Sequence, residues 1–279
     1  MMRYGFVIPF GDPKLVVDLA VEIEDAGWDA AFTYETVYQM DPWVVLGAMA
    51  ARTRRVMLGP LLTPPSRRRP WKLASEVATV DRLSSGRAVL CVGLGALDTG
   101  FAAVGEETGR RERAELMDEC LELCDQFWSG EPFTFVGDHY TVDWKVADWE
   151  AQRGAFRPVQ TPRPPVWCVA QLGAEKPMRR ALRWDGCLPY KRTDENPYSP
   201  LDVADVSELR AWATANKQGD RRFDIALEGT TPVGDLQAGV DKVQPLAEAG
   251  ATWWIESRWE EANDVDAIRR RIAQGPPKG

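Results

Sequence analysis

From Tyr4 to Ala273 the chain alternates short β-rich apolar runs with segments of helical periodicity, and this alternation limits the fold more than any other feature. Parallel strands cannot be joined by tight turns, so each pair needs a long crossover, and a helix is the usual one. The first pair is Tyr4 to Ile8 followed by Pro13 to Ala26, in which Leu15, Leu19 and Ile23 recur every four residues. Asp12 before Pro13 reads as an N-cap with proline at the first helical position. The next pairs are Ala30 to Tyr34 with a helix from about Asp41 to Arg52, Arg55 to Leu62 with Pro70 to Leu83, and Ala88 to Val92 with Arg111 to Trp128. The second half repeats the scheme. Val166 to Ala170 precedes Glu175 to Arg183, and Gly186 to Tyr190 precedes Leu201 to Asn216; Asp224 to Glu228 leads to Leu236 to Ala249, and Thr252 to Glu256 to Val265 to Ala273.

Eight strand-helix pairs predict an α/β fold, a closed (β/α)8 TIM barrel, because closure leaves no sheet edge unpaired. An open doubly wound sheet would use the same alternation, but Gly93, Gly95 and Gly100 form only a loose cluster and not a dinucleotide fingerprint. After the fourth helix, FTFVGDHYTV reads as a short hairpin insertion turning at Gly137 and Asp138, and residues 143 to 164 read as an irregular excursion. The 279 residues match the roughly 250 of a typical barrel, so 1–279 is taken as one domain.

A formal net charge of -8 repels phosphate backbones and anionic headgroups, which argues against nucleic acid and membranes as partners. The basic run Arg67 to Arg69, followed directly by Pro70 and Trp71, is read as a local anion site or, equally, as a solvated turn. The N-terminal apolar run stops at Pro9 and Gly11, far short of a signal segment, so a cytoplasmic location is expected. The five cysteines lie in apolar or helical stretches and are expected as reduced core thiols.

In such a barrel the chemistry sits at the carboxyl ends of the strands. These ends carry Tyr34 and Glu35, Leu62 and Thr63, Gly93 to Gly95, Ala170 and Gln171, Pro189 and Tyr190, Glu228, and Glu256 to Arg258. The rim is small and apolar with few polar groups, which suits a flat cofactor better than a metal. The only histidine, His139, falls in the hairpin, so a histidine-based metal site and a Ser-His-Asp triad both lack their central residue, and no metal is expected. Glu35, Glu228 and Glu256 are the rim carboxylates that a hard cation would need. Of the twelve tryptophans, Trp71 is the one singled out as a pocket residue; the others read as packing.

The stretch RRVMLGPLLTPPSRRRPWKLASEVATVDRLSSGRAVLCVGLG, residues 54 to 95, resembles the third strand, third helix and fourth strand of luciferase-like monooxygenases. AGWDAAFTYE before it, RRERAELMDECLELCDQFWSGEPFTFVGDHYTV after it, PPVWCVAQLGAEKPMRRALRWDGCLP and VGDLQAGVDKVQPLAEAGATWWI extend the likeness over about nine-tenths of the chain. The resemblance implies a metal-free barrel using reduced FMN, or in a sister branch a deazaflavin coenzyme, on a small organic substrate, in some members served by a separate flavin reductase. It also implies a homodimer formed through the second and third helices. Carried over by position, Leu62 and Thr63 would support the ring and Gly93, Leu94 and Gly95 would wall it, while Ala170, Gln171 and Gly173 belong to the loop that holds the phosphate.

The sequence departs from the family pattern at three points. Glu35-Thr36 stands where many relatives carry a carboxylate and a histidine, Arg69-Pro70 where they carry His-Pro, and Leu94 where luciferases carry arginine. Glu35 is therefore expected to transfer protons if burial raises its pKa, or else to pair with an arginine, and Arg69 to meet an anionic group or that same glutamate. The leading expectation is a monooxygenase using reduced FMN and oxygen. Hydride transfer with a deazaflavin, or a non-catalytic flavin-binding barrel, are the alternatives.

Overall fold

A computed structural model describes residues 1–145, 156–196, 198–217, 219 and 222–278. Its central sheet has the order β3-β2-β1-β10-β9-β8-β7-β4, formed by β1 (Arg3–Val7), β2 (Ala30–Thr33), β3 (Met57–Pro60), β4 (Leu90–Val92), β7 (Val166–Gln171), β8 (Gly186–Tyr190), β9 (Asp224–Gly229) and β10 (Trp253–Ser257). All seven pairings in it are parallel. Parallel bridges Leu58 to Ala88 and Thr63 to Val92 join β3 to β4, so the sheet closes into the expected barrel. The hairpin is a separate antiparallel pair, β5 (Phe133–Val136) and β6 (Thr141–Trp144).

The helices are α1 (Pro13–Asp25), α2 (Pro42–Arg52), α3 (Pro70–Leu83), α4 (Arg110–Ser129), α5 (Glu175–Arg183), α6 (Val203–Asn216), α7 (Leu236–Glu248) and α8 (Val265–Ala273). Their starts follow from local chemistry. Proline opens α1, α2 and α3, where its missing N–H costs no hydrogen bond, and Asp12 and Asp41 accept from first-turn amides of α1 and α2. Asp202 and Asp205 form a reciprocal capping box at α6. Among the described residues no helix is long and apolar enough to cross a membrane.

Alternation along the strands divides the apolar side chains into two layers. Val7, Phe32, Cys91, Trp167, Ala226, Trp253 and Ile255 point inward and fill the barrel, while Phe6, Ala31, Cys168, Leu227 and Trp254 pack outward against the helices. All five cysteines are free and buried. Most tryptophans are packing groups as expected, with the Trp167 and Trp253 rings 5.3 Å apart in the barrel interior. Of the irregular excursion, 143 and 144 belong to β6 and 146–155 lie outside the described residues.

Candidate active site

The mouth of the barrel holds a cavity of about 760 Å³ on its β3, β4, β7 and β8 side. Leu62, Gly93 and Val169 form its apolar floor. A Cβ on Gly93 would come within 2.7 Å of Leu62 and 3.0 Å of Val169, so the absence of a side chain lets those two meet beneath the opening. Gly95 has φ +78, a conformation that costs glycine least, and turns the chain so that Phe101 packs under it. The Leu61–Leu62 peptide is cis, a feature the sequence gives no sign of.

Of the cofactor residues expected from the sequence, Leu62, Gly93, Leu94, Gly95 and Gln171 line this cavity. Ala170 is fully buried in the strand and faces the helix layer, and Gly173, with φ +78, is part of the turn after β7. Thr63 is fully buried and does not border the cavity; it accepts a hydrogen bond from the Trp43 indole at 3.1 Å and donates one to Glu35 at 2.9 Å.

The cavity wall is strongly basic, which sequence reading missed. Arg110, Arg111, Arg113, Lys176, Arg180 and Arg192 all border it. Arg111 pairs with Glu115 at 2.7 Å and Arg180 with Asp118 at 2.5 Å, so those two are neutralised. Among the described residues Arg110 reaches the neutral amide of Gln171, at 3.3 Å, and neither it nor Lys176 or Arg192 forms a salt bridge with a carboxylate. Arg113 is 5% exposed; it donates to the carbonyls of Leu94 and Gly95, and its buried Nε has no partner. The run Arg110-Arg111-Glu112-Arg113 was the available signal, since its position opening a helix after strand four places it at the rim.

Glu35 is held more tightly than a mobile acid-base group would be. Its side chain is 3% exposed; Oε2 accepts from Thr63, and Oε1 meets Arg67 at 3.3 Å and Arg68 at 3.1 Å. Burial pushes its carboxyl upward, against Arg68, Thr63 and Arg67, which pull it down. The expected arginine pair therefore exists, but with Arg67 and Arg68. Arg69 is exposed at the N-cap of α3, and its charge acts on Tyr140 of the hairpin. Reading Arg67 to Arg69 as an anion site is corrected in the same way: Arg67 donates also to the carbonyls of Thr36 and Val37, and Arg68 pairs with Glu76 at 2.9 Å.

Two further expectations are corrected. Trp71 lines a second cavity outside the barrel, with Phe127, Trp128 and Trp144, because α3 turns its first residues toward the hairpin. Glu256 shares the outward face of Trp254 and is fully buried, accepting from Thr231, Trp254 and Arg258 and lying 3.4 Å from Arg271. The third rim carboxylate, Glu228, behaves differently. It follows inward-facing Ala226 by two residues, is exposed to the mouth, and accepts a 2.7 Å hydrogen bond from Ser257. Burial of its carboxyl within the surrounding barrel raises its pKa, opposed by hydrogen bonds from Ser257 and Trp259. His139 sits between α4 and the hairpin, 3.3 Å from Glu112 and 3.7 Å from Glu115.

Comparison with known proteins agrees with this architecture. The family model described as luciferase-like monooxygenase matches residues 2–235. An F420-dependent glucose-6-phosphate dehydrogenase of Segniliparus rotundus is 32% identical over 301 aligned positions, covering 94% of this chain and 84% of that protein. One of Nakamurella multipartita is 34% identical over 156, covering 51% of this chain and 45% of that protein; several of these curated relatives are matched over about half of their own length. The oxygenating constituent of 3,6-diketocamphane monooxygenase of Pseudomonas putida, a type II Baeyer-Villiger enzyme solved with FMN, superposes with a TM-score of 0.75 at 15% identity over 99% of this chain and 98% of that one, a likeness of fold. With the family model spanning most of the chain and the barrel closing as its members' do, this protein belongs to the luciferase-like monooxygenase family of oxidoreductases.

Proposed function

We propose that the chain is a deazaflavin-dependent oxidoreductase that moves a hydride between an F420-type coenzyme and a small organic substrate. The observation that carries this reading is the charge of the cavity wall. In a chain of net charge -8, Arg110, Lys176 and Arg192 converge with Arg113 on one pocket, and among the described residues none of the four forms a salt bridge with a carboxylate. Such a cluster repels itself unless an anion is present, and one phosphate uses only part of it. A deazaflavin whose side chain carries a phosphodiester and carboxylates answers more of that charge than FMN does. The buried, unpartnered Nε of Arg113 is a further donor that fits an anionic ligand.

The residues present fit the coenzyme. Leu62, Gly93 and Val169 offer a flat apolar surface for a tricyclic ring, and Gln171, Lys176 and Arg192 would hold its side chain. When bound, the coenzyme supplies a ring carbon that accepts or donates a hydride. Glu35, Arg67 and Arg68 fix the segment leading to the Leu62 floor, and Thr63 ties it to β4 through its bridge to Val92. The relatives named as F420-dependent dehydrogenases support the same reading.

The apolar floor serves FMN equally well, and the monooxygenase fold match keeps the oxygen-using reaction as the second reading. Titrating cofactor-free protein with F420 and with FMN separates them. F420 is expected to bind more tightly, with an affinity that falls as salt rises and falls again in the Lys176→Ala and Arg192→Ala variants. Preferential binding of FMN with oxygen uptake on its reduction would sink the deazaflavin reading.

A further inference from the structure

The chain's only histidine does not line the cavity at the barrel mouth, and the groups around it form a set of their own. His139 lies in the turn between β5 and β6 and meets the first two turns of α4, where Glu112 and Glu115 share a face three residues apart. Imidazole Nδ1 is 3.3 Å from Glu112 Oε1, and Nε2 is 3.7 Å from Glu115 Oε2. Both separations exceed the range of about 2.7–3.2 Å of a well-formed N–H···O hydrogen bond. Nε2 is buried and has no hydrogen-bond partner among the described residues. A buried polar atom left in that state asks for a ligand.

The turn is held by a different group. Glu119, one helical turn beyond Glu115, accepts from the amides of Asp138, His139 and Tyr140 at 2.7 to 3.2 Å. Gly137 leaves room for that carboxylate, since a Cβ there would strike it. The imidazole is therefore placed by its own backbone, and Glu112 and Glu115 are not spent on positioning it. Glu115 gives Oε1 to Arg111 at 2.7 Å, which leaves Oε2 turned to the ring.

We infer that Glu112, Glu115 and His139 bind a divalent transition metal of the Zn2+ type, which fastens the hairpin to α4. One oxygen of each carboxylate and one ring nitrogen lie within 4.8 Å of one another. Ligands held about 2.0–2.2 Å from a tetrahedral Zn2+ stand about 3.4 Å apart, and the nitrogen-to-oxygen separations of 3.3 and 3.7 Å are of that size. The glutamate side chains are 46% and 38% exposed, so they can rotate to close the set and admit water to a fourth position. Imidazole with carboxylate oxygens suits Zn2+ and its neighbours, whereas Mg2+ and Ca2+ prefer oxygen alone. Charge favours it too. Two carboxylates this close repel each other, Arg111 offsets only one of them, and a dication draws them together. Glu115 also borders the basic cavity, so the metal would stand against the outside of that wall. The inference does not rest on the hydride-transfer reading.

Titration of the untagged, metal-free full chain with Zn2+ alone tests it. With one histidine in the chain, 15N-labelled imidazole gives a single pair of ring-nitrogen resonances, which belong to His139 without further assignment. Zn2+ is expected to bind once per chain, to shift one ring nitrogen much more than the other, and to raise Tm with its concentration. His139→Gln and the double variant Glu112→Gln/Glu115→Gln are each expected to weaken Zn2+ by about tenfold or more in chelator competition and to abolish the Tm shift. Ring resonances unmoved by saturating Zn2+ in wild type overturn the inference, a result that does not depend on any variant folding. Zn2+ affinity unchanged in the double variant overturns it as well, since the ring would then act without the helix. Mg2+ or Ca2+ acting on the ring as strongly as Zn2+ overturns the choice of metal.

Discussion

Thr63 Oγ1 donates to Glu35 Oε2 at 2.9 Å while accepting from the Trp43 indole at 3.1 Å, so one hydroxyl joins the end of β2, the helix α2 and the exit of β3. All three groups are buried, and each would otherwise keep an unsatisfied polar atom. Thr63→Val keeps the shape and removes both hydrogen bonds. The variant is expected to lose about 1–3 kcal/mol of stability, read by urea unfolding with an unchanged m-value. Wild-type stability in this variant would show that the hydroxyl holds nothing together.

The same substitution at two glutamates should have opposite signs. Glu256→Gln weakens a buried partner of Arg258 and Arg271 and is expected to cost about 3–5 kcal/mol. Glu228 has a folded pKa raised by burial, so relative to a residue that cannot ionise it loses stability as pH climbs from the ordinary glutamate value through the folded one. Glu228→Gln should therefore match wild type below about pH 4 and exceed it at neutral pH. Thermal melts across that range check both the sign and the window.

Gly93→Ala would place a methyl against Leu62 and Val169 at 2.7 and 3.0 Å, lifting the floor of the cavity. Coenzyme affinity is expected to drop by about tenfold or more, equivalent to about 1.4 kcal/mol, in a fluorescence titration. Unaltered binding would place the ring elsewhere than on this wall.

Cys91, Cys120, Cys124, Cys168 and Cys187 are all fully buried, and burial pushes the thiols of Cys91, Cys124, Cys168 and Cys187 upward. Since the thiolate is the nucleophile, none should be alkylated by iodoacetamide in the native protein near neutral pH. Mass spectrometry should find all five modified in denaturant. Labelling of any one in the native state would place it at a more open position than the barrel gives it.

Much of the site's scaffold was legible because it depends on local patterns. Proline after aspartate marked the first turns of α1 and α2, and the strand ends followed from where each apolar run stopped. The same strand ends put Leu62, Gly93 to Gly95 and Gln171 at the mouth, where they line the cavity. The basic wall was harder to see, because Arg110 and Arg113 come from α4, Lys176 from the start of α5 and Arg192 from the loop after β8. No spacing in the sequence brings them together.

What the sequence determined alone is the eightfold strand-helix order, and with it the barrel, since a parallel strand buried on both faces must find both a neighbour and a helix to cover it. What only the tertiary structure decided is the electrical state of the carboxylates. Glu35, Glu228 and Glu256 look alike in one dimension, but the pleat turns Glu256 outward onto Arg271 and Glu228 inward to neutral donors, while the turn after β3 brings Arg67 and Arg68 onto Glu35. Charge acts through space and falls with distance and dielectric, neither of which is written along the chain.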